Sequence, residues 1–573
     1  MADLSLFPPQ RDGSKSAASA SWTSQSNTVN IGPSSQDWVD DDLEACLDLA
    51  FAVLIWAYTG DDSVCFVSTR QANVHHQHVA HRLQVELATT LAGAVRSVQK
   101  DRMPLDSTIN APSILVHVTR DGRTSDDTSF VPIDKGIMPL QLFCEREGGV
   151  TGNSVRVTAW SDSNYIDAFH VDSYVRHFSK YICQIWQSKH DVRLQDLDHL
   201  ITSDREFIAQ WNSKAQRLDS RTIHDCTSQM ALRNPGKLAI DAWDGQLSRG
   251  ELEQEANLLA QLLGKANVRR GCVVGILMDK SKTVPVAILG ALKAGAAFLL
   301  LDVSLPSERL RIQTEQTTVK HIVTTRDRTA LACKLASIVI VDEGRSRFSI
   351  VDTGSQQQVF ATIDHNAPTV SPDDPAFYIF TSGSSGIPKA ILIHHDAWVT
   401  TCGEPHRLGI GESTRVFQLA SFSYIVSTLD ILHTLIAGGT VCIPAPEERT
   451  NDLAGAIRRL KPDFVRLTPS VLKILDPDQV PSLRTVVSAG EPIRRSLAEA
   501  WLASGKVRLR NGYGQSEACG TNSTADLSLS TANYRSIGDD SPMGYWIVDP
   551  QNHNRLMPVG GTGELLVEGH SVA

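Results

Sequence analysis

No two of the ten cysteines stand in C-x-x-C spacing, and they are scattered through 573 residues. That spacing excludes a zinc ribbon or a dithiol redox centre and fits reduced thiols in an intracellular protein. No run of eighteen apolar residues exists, and the start "MADLSLFPPQRDGSKSAASASWTSQSN" lacks the apolar core of a signal peptide. Neither a membrane span nor secretion is expected, and the cytoplasm is the expected location. Basic charge is not in excess either: 54 Lys and Arg face 64 Asp and Glu, a net of −10. That balance argues against nucleic acid or an anionic membrane as the main partner. No internal repeat of roughly 20 to 50 residues is present. What remains is a chain with 42% hydrophobic content and length for about three to four domains, whose default role is handling small molecules.

Along the chain, residues 1–36 are rich in Ser, Gln, Asn and Pro without apolar periodicity, so a disordered leader is expected there. "LEACLDLAFAVLIWAYTG" has helical spacing and ends in Thr-Gly, and "SVCFVSTR" reads as a buried strand. They open an α+β unit expected over 37–200. The polar stretch "SDREFIAQWNSKAQRLDSR" predicts a linker over 201–221. From 222 to 573, runs such as "VVGILMD", "AFLLLD", "HIVTT", "SIVIVDE", "FVRLT" and "LRTVVSAGE" alternate with helical stretches such as "TVPVAILGALKAG". That alternation predicts an α/β domain of layered, largely parallel sheet covered by helices.

In "FYIFTSGSSGIPKAILIHH" an apolar strand, Phe377 to Phe380, runs into Thr381, Ser382, Gly383, Ser384, Ser385, Gly386 and then Lys389. Glycines let backbone N–H groups turn onto an anion, hydroxyls add donors, and a lysine supplies charge. The loop is a phosphate-binding candidate. It is not the Walker pattern, which needs Gly-Lys-Ser/Thr opening a helix, and an ordinary polar hairpin is the competing reading.

The loop resembles the third core motif of the adenylate-forming enzymes, and other core motifs of nonribosomal peptide synthetase adenylation domains stand around it in order. "LSRGELEQEANLLAQLL" (247–263) resembles the first, "LKAGAAFLLLDVSLPSERL" (292–310) the second, "LASFSYIVSTLDILHTLIAGGTVCIP" (419–444) the fourth, "NGYGQSE" (511–517) the fifth and "GELLVEGHSVA" (563–573) the start of the sixth. The resemblance implies that a carboxylate attacks the α-phosphate of ATP with Mg²⁺ present, giving an acyl adenylate and pyrophosphate, and that the acyl group passes to a carrier thiol in trans. The protein's share is positioning and charge stabilisation. By the same resemblance, Thr381 through Gly386 and Lys389 hold the β- and γ-phosphates, Tyr513 stacks on adenine and Asn511 bonds its edge. Ser516 meets the α-phosphate and Glu517 binds Mg²⁺, which takes few protein ligands and keeps waters. Ala390 departs from the family's glycine without removing a ligand.

A second departure bears on substrate. Where the family has an aspartate that pairs with the substrate's α-ammonium, this sequence has Ile425. An ammonium buried there unpaired would lose about 3–5 kcal/mol, so an ordinary α-amino acid is a poor candidate. The other matching pocket positions are Val426, Leu429, Ser470, Val487, Ala489, Gly512, Gly520 and Thr521, none of them charged. Their small members imply volume for a bulky apolar acid, and a lysergic-acid-type substrate of fungal alkaloid synthetases is one conjecture. The competing reading takes Ile425 as decay in a site no longer selected.

The sixth motif breaks off at Ala573, before the family's ribose-binding aspartate, hinge and C-terminal subdomain with its catalytic lysine, and no Leu-Gly-Gly-x-Ser carrier motif occurs. The expectation is therefore no catalytic residue to name, no phosphopantetheine site, and impaired or lost turnover. Residues 37–200 resemble the C-terminal half of a condensation domain, without its His-His-x-x-x-Asp-Gly. In "VHHQHVAH", His81 stands where that aspartate would be, and His75, His76, His78 and His81 read as solvated loop histidines rather than a metal site. The competing functions are an inactive remnant that at most binds ATP, a nucleotide-binding module, and a stand-alone acyl- or aryl-CoA ligase.

Overall fold

The computed structural model describes residues 22–31, 42–60, 62–72, 75–100, 102–104, 114–119, 140–147, 153–162, 166, 168–213, 218–344, 347–353, 358–359, 369–381, 388–403, 408–531, 533–538 and 543–573. They form two compact units, Met1–Ser213 with Tyr545–Leu566, and Lys214–Gly544 with Val567–Ala573. Residues 545–566 group by contact with the first unit.

The first unit is α+β. A seven-stranded sheet runs in the order Trp22–Asn30, Ser154–Asp162, Leu140–Glu147, Ile114–Thr119, Ser63–Ala72, His75–Gln84, Arg102–Pro104. The helix Leu43–Thr59 is buried along its whole length and ends where Gly60, at φ 70°, donates its N–H to the Trp56 carbonyl. Glycine at that left-handed position is the expected stop. Helix Ala168–Gln187 shares the same core through Tyr174, Phe178 and Ile182.

Three sequence expectations change here. Part of the expected disordered leader, Trp22–Asn30, is a strand paired in register with Ser154–Asp162. It is a polar edge strand held by backbone bonds, so apolar periodicity could not reveal it. The expected linker contains the helix Thr202–Asn212. Its buried Asp204 accepts from His177 Nε2 at 2.6 Å, which fastens it to the preceding helix. Within "VHHQHVAH", His75 to His81 lie in the strand His75–Gln84 rather than a loop. His81 is buried, with Nε2 2.7 Å from Ser68 Oγ and its ring stacked on Phe66; the side chains of His75, His76 and His78 lie outside the described residues.

The second unit is the expected α/β domain. One eight-stranded sheet has Ile338–Gly344, His321–Thr325, Val273–Leu277, Ala297–Leu300 and Pro375–Thr381 parallel at its centre, with antiparallel strands at both edges. The other has Arg508–Tyr513, Thr485–Ala489, Phe464–Leu467, Arg415–Phe417, Thr440–Ile443 and Leu238–Ala242 all parallel, again closed by antiparallel edges. Near-continuous Val, Ile and Leu runs are what strands covered on both faces require. The first motif owes part of its form to a capping box: Ser248 Oγ accepts from the Glu251 N–H at 3.2 Å and Glu251 accepts from the Ser248 N–H at 2.8 Å. No helix among the described residues is long and apolar enough to cross a membrane. Among the described residues, Cys46, Cys144, Cys226, Cys402, Cys442 and Cys519 are buried thiols.

Candidate functional site

The phosphate-loop candidate is the tip of a hairpin. Pro375–Thr381 and Lys389–His394 pair antiparallel, with Thr381 opposite Lys389. Ser382, Gly383, Ser384, Ser385 and Gly386 fall outside the described residues, while the two flanks are placed: Thr381 half-buried, Lys389 exposed. Lys389 makes no side-chain hydrogen bond or ion pair among the described residues. The paired strands on either side match the hairpin reading, and the loop between them lies outside the described residues. The base of the hairpin is aromatic: Phe377 stacks on Phe298 at 5.1 Å and meets Trp398 edge-on at 4.9 Å. Below it, His395 Nδ1 accepts the Ile223 N–H at 3.2 Å and its ring faces His224 edge-on at 5.3 Å. Burial holds these imidazoles down, at about 3 for His395 and about 4 for His224.

The predicted pocket positions come together in two groups. Ile425, Val426 and Leu429 are buried on a helical segment, Ile425 to Ile436, whose middle turn, Leu429–His433, is π-wound. Gly520 lies against them: a Cβ there would come within 2.6 Å of Leu429 Cδ1 and 3.6 Å of Ile425 Cγ2. In the second group Ala489 pairs with Gly512 in register, and a Cβ on Gly512 would meet Val487 Cγ1 at 2.9 Å and Ala489 Cβ at 3.3 Å. Neither glycine opens space, because Leu429 and Val487 already occupy the room that a side chain would take. The volume argument for a bulky substrate is corrected accordingly. Ser470 is exposed and donates to Glu491 at 2.6 Å, and Thr521 is buried.

The fifth motif spans the end of the strand Arg508–Tyr513 and the turn after it. Asn511 is buried, with Nδ2 donating to the Ser536 carbonyl at 2.8 Å, so its amide is already oriented. Tyr513 is half-buried. Asn522, which the sequence reading missed, staples this turn: its Oδ1 accepts the Gln515 N–H at 3.0 Å and its Nδ2 donates to the Ala518 carbonyl at 2.6 Å. Ser516 and Glu517 sit on the short helical turn Ser516–Ala518. The Glu517 carboxylate is exposed and makes no side-chain bond among the described residues. An exposed, unengaged hard oxygen donor fits a magnesium ion that retains most of its waters. The Cys519 thiol, raised to about 12 by burial, bonds Thr401 on the helix that follows the hairpin. Phe377 and Ile379 of the hairpin share one core with Ile425, Leu429 and Cys519.

Sequence reasoning also missed four charged residues at the helical segment Ile425 to Ile436: Asp430 on it, and Lys280, Asp302 and Arg466 from elsewhere in the chain. Lys280 donates to Gln418 Oε1 at 3.0 Å and to the Ala420 carbonyl, and Asp302 accepts from Ser421 Oγ. Arg466 donates to Asp430 Oδ1 at 2.8 Å, both side chains being fully enclosed. Burial pushes the Asp430 carboxyl up to about 6 against the opposing pull of Arg466. The only available sequence signal was charge inside an otherwise apolar stretch, "FVRLT" and "STLDIL", which a strand-and-helix reading passes over.

A sequence profile of AMP-binding enzymes matches residues 228–573. Nonribosomal peptide synthetase otaB of Aspergillus carbonarius is 31% identical over 96% of this chain and 30% of its own length. The PF 1022-synthetase of a Rosellinia species is 34% identical over 76% of this chain and 13% of its own. Among solved structures, the nonribosomal peptide synthetase FmoA3 bound to α-methyl-L-serine-AMP superposes with a TM-score of 0.72 at 18% identity, covering 96% of this chain and 67% of that one. The chain spans between 3% and 30% of the length of the curated relatives it matches.

Proposed function

The chain belongs to the AMP-binding enzyme family, and from that premise we propose that its second unit is an adenylation core of nonribosomal-peptide-synthetase type that activates an apolar carboxylic acid lacking a free α-amine. A carboxylate oxygen of the acid bonds to the α-phosphorus of ATP as the bond from that phosphorus to the β-bridging oxygen breaks, leaving acyl adenylate and pyrophosphate. Thr381, Lys389 and the loop between them hold the β- and γ-phosphates. Tyr513 and Asn511 receive adenine, and Ser516 meets the α-phosphate. Glu517 would hold Mg²⁺, which neutralises phosphate charge when bound. A carrier thiol in trans is the acyl acceptor that fits this reading.

The observation that carries the substrate class is the environment of Ile425. It is 3% exposed, and the one carboxylate on its helix, Asp430, is engaged by Arg466. Ile425 itself offers an α-ammonium no acceptor, and Asp430, whose Oδ2 makes no hydrogen bond, already has its charge answered by Arg466; an ammonium buried against Ile425 would be left unpaired at a cost.

The test is ATP–pyrophosphate exchange over matched acids that share one side chain and differ only at the α-carbon: amino, hydroxy, keto and unsubstituted. Exchange with the last three and silence with the amino acid is expected. Preference for the amino acid overturns the substrate reading. Silence throughout, with ATP bound, overturns catalysis in favour of a nucleotide-binding remnant.

A further inference from the structure

Building on that reading, we propose that Lys280 and Arg466, which lie outside the pocket, are positioning residues that clamp segment 418–433 from both ends and so govern acid recognition separately from ATP binding.

At the upstream end, Lys280 is only 6% exposed. Its Nζ bonds the Gln418 side chain at 3.0 Å and the Ala420 carbonyl, and it lies 4.1 Å from the Phe422 ring centroid. Asp302 takes the Ser421 hydroxyl beside it. Every second residue from Gln418 to Phe422 is thereby gripped by one ammonium. At the downstream end, Arg466 lies over the Phe464 ring at 4.9 Å and reaches two residues of the π-wound turn, Asp430 at 2.8 Å and His433 Nδ1 at 3.4 Å. Between the two grips stand Ile425, Val426 and Leu429, three of the pocket positions, with Leu429 pressed on Gly520.

Stability alone does not account for this arrangement. Burying a charge is costly, and an apolar replacement of a buried ion pair is often neutral or better. The cost is visible at Lys280: burial brings its ammonium down to about 7, Arg449 pushes the same way, and Asp302 and Asp430 oppose. What the charges supply and apolar side chains do not is direction, since each bond fixes one backbone or side-chain atom of the segment. π-wound turns often occur at functional sites, and this one presents Asp430 and His433 to a single guanidinium.

The experiment compares the full chain with Lys280→Met, Lys280→Arg and the paired Arg466→Met/Asp430→Leu variant, which removes both charges together and keeps the fold testable. Three readouts are taken: the ATP dissociation constant, KM for the preferred acid in pyrophosphate exchange, and amide hydrogen exchange of peptides covering 418–433. The expected result is an acid KM raised about tenfold or more, as for loss of a charged hydrogen bond, with ATP affinity within about twofold. Faster amide exchange is expected in 418–433 and not in the hairpin 375–394, and Lys280→Arg should recover part of both losses. Unchanged acid KM with unchanged exchange in 418–433 overturns the clamp, as does a parallel loss of ATP affinity. If the unaltered chain turns over no acid, the functional reading fails on its own, and the hydrogen-exchange comparison still decides the clamp.

Discussion

The hairpin Pro375–His394 and the helix Ile425–Ile436 hold their predicted site residues by opposite means. The hairpin fixes its backbone through strand register and an aromatic base, and leaves Lys389 exposed and without a side-chain partner among the described residues. The helix buries its site residues and fixes them from behind with charges drawn from other strands and loops. Among the described residues, one region leaves its lysine without an internal partner; the other uses its polar groups on itself. A group without internal partners can be removed at little cost to the fold, whereas a group engaged inside cannot.

The sharpest way to break this comparison is Arg466→Met alone. It strands Asp430 in the core and should cost about 3–5 kcal/mol in urea unfolding of the second unit, with most of that returned by adding Asp430→Leu. A cost below about 1 kcal/mol would mean the helix is not held by its charges. Next, Lys389→Ala should weaken ATP about 10–100-fold by calorimetric titration while the melting temperature stays where it is; a marked drop in melting temperature would erase the contrast. Third, Gly520→Ala forces a Cβ against Leu429 at a φ of +99°. It should cost about 1–2 kcal/mol for the backbone alone, and Leu429→Ala should relieve only the steric part.

The smallest effect is on pH. His395 and His224 are neutral in the fold below the ordinary imidazole value of 6.5, because burial holds them at about 3 and about 4. The unfolded chain takes up those protons first, so their contribution is complete above 6.5 and is lost as pH falls toward the folded values. The slope is at most about 1.4 kcal/mol per pH unit for each group. Unfolding of His395→Gln from pH 7 to 4 should be correspondingly flatter.

The same contrast governs what could be read in advance. The strands of both large sheets were legible because burial on two faces demands β-branched runs, as in Val273–Leu277 and Thr485–Ala489. The hairpin was legible because an apolar strand running into a stretch of glycines and hydroxyl residues, and out again into a second apolar run, marks a turn between paired strands. The pocket's support was not, since Lys280 and Gln418 lie 138 residues apart and Arg466 and Asp430 lie 36 apart. Single charges inside apolar stretches do not announce their partners. The glycines misled in the same way: Gly512 and Gly520 read as room, but they are the sites where Val487 and Leu429 come closest.

The polar strand Trp22–Asn30 has a practical consequence for anyone expressing this protein. It is the outermost strand of its sheet, and its pairing with Ser154–Asp162 runs the full length of both. A clone begun at Trp38, where the composition changes, would remove it and leave one side of the nine-residue strand Ser154–Asp162 unpaired, an open edge of the kind that recruits other chains into aggregates. Insolubility of such a clone would reflect that lost cover and not a defect in the second unit.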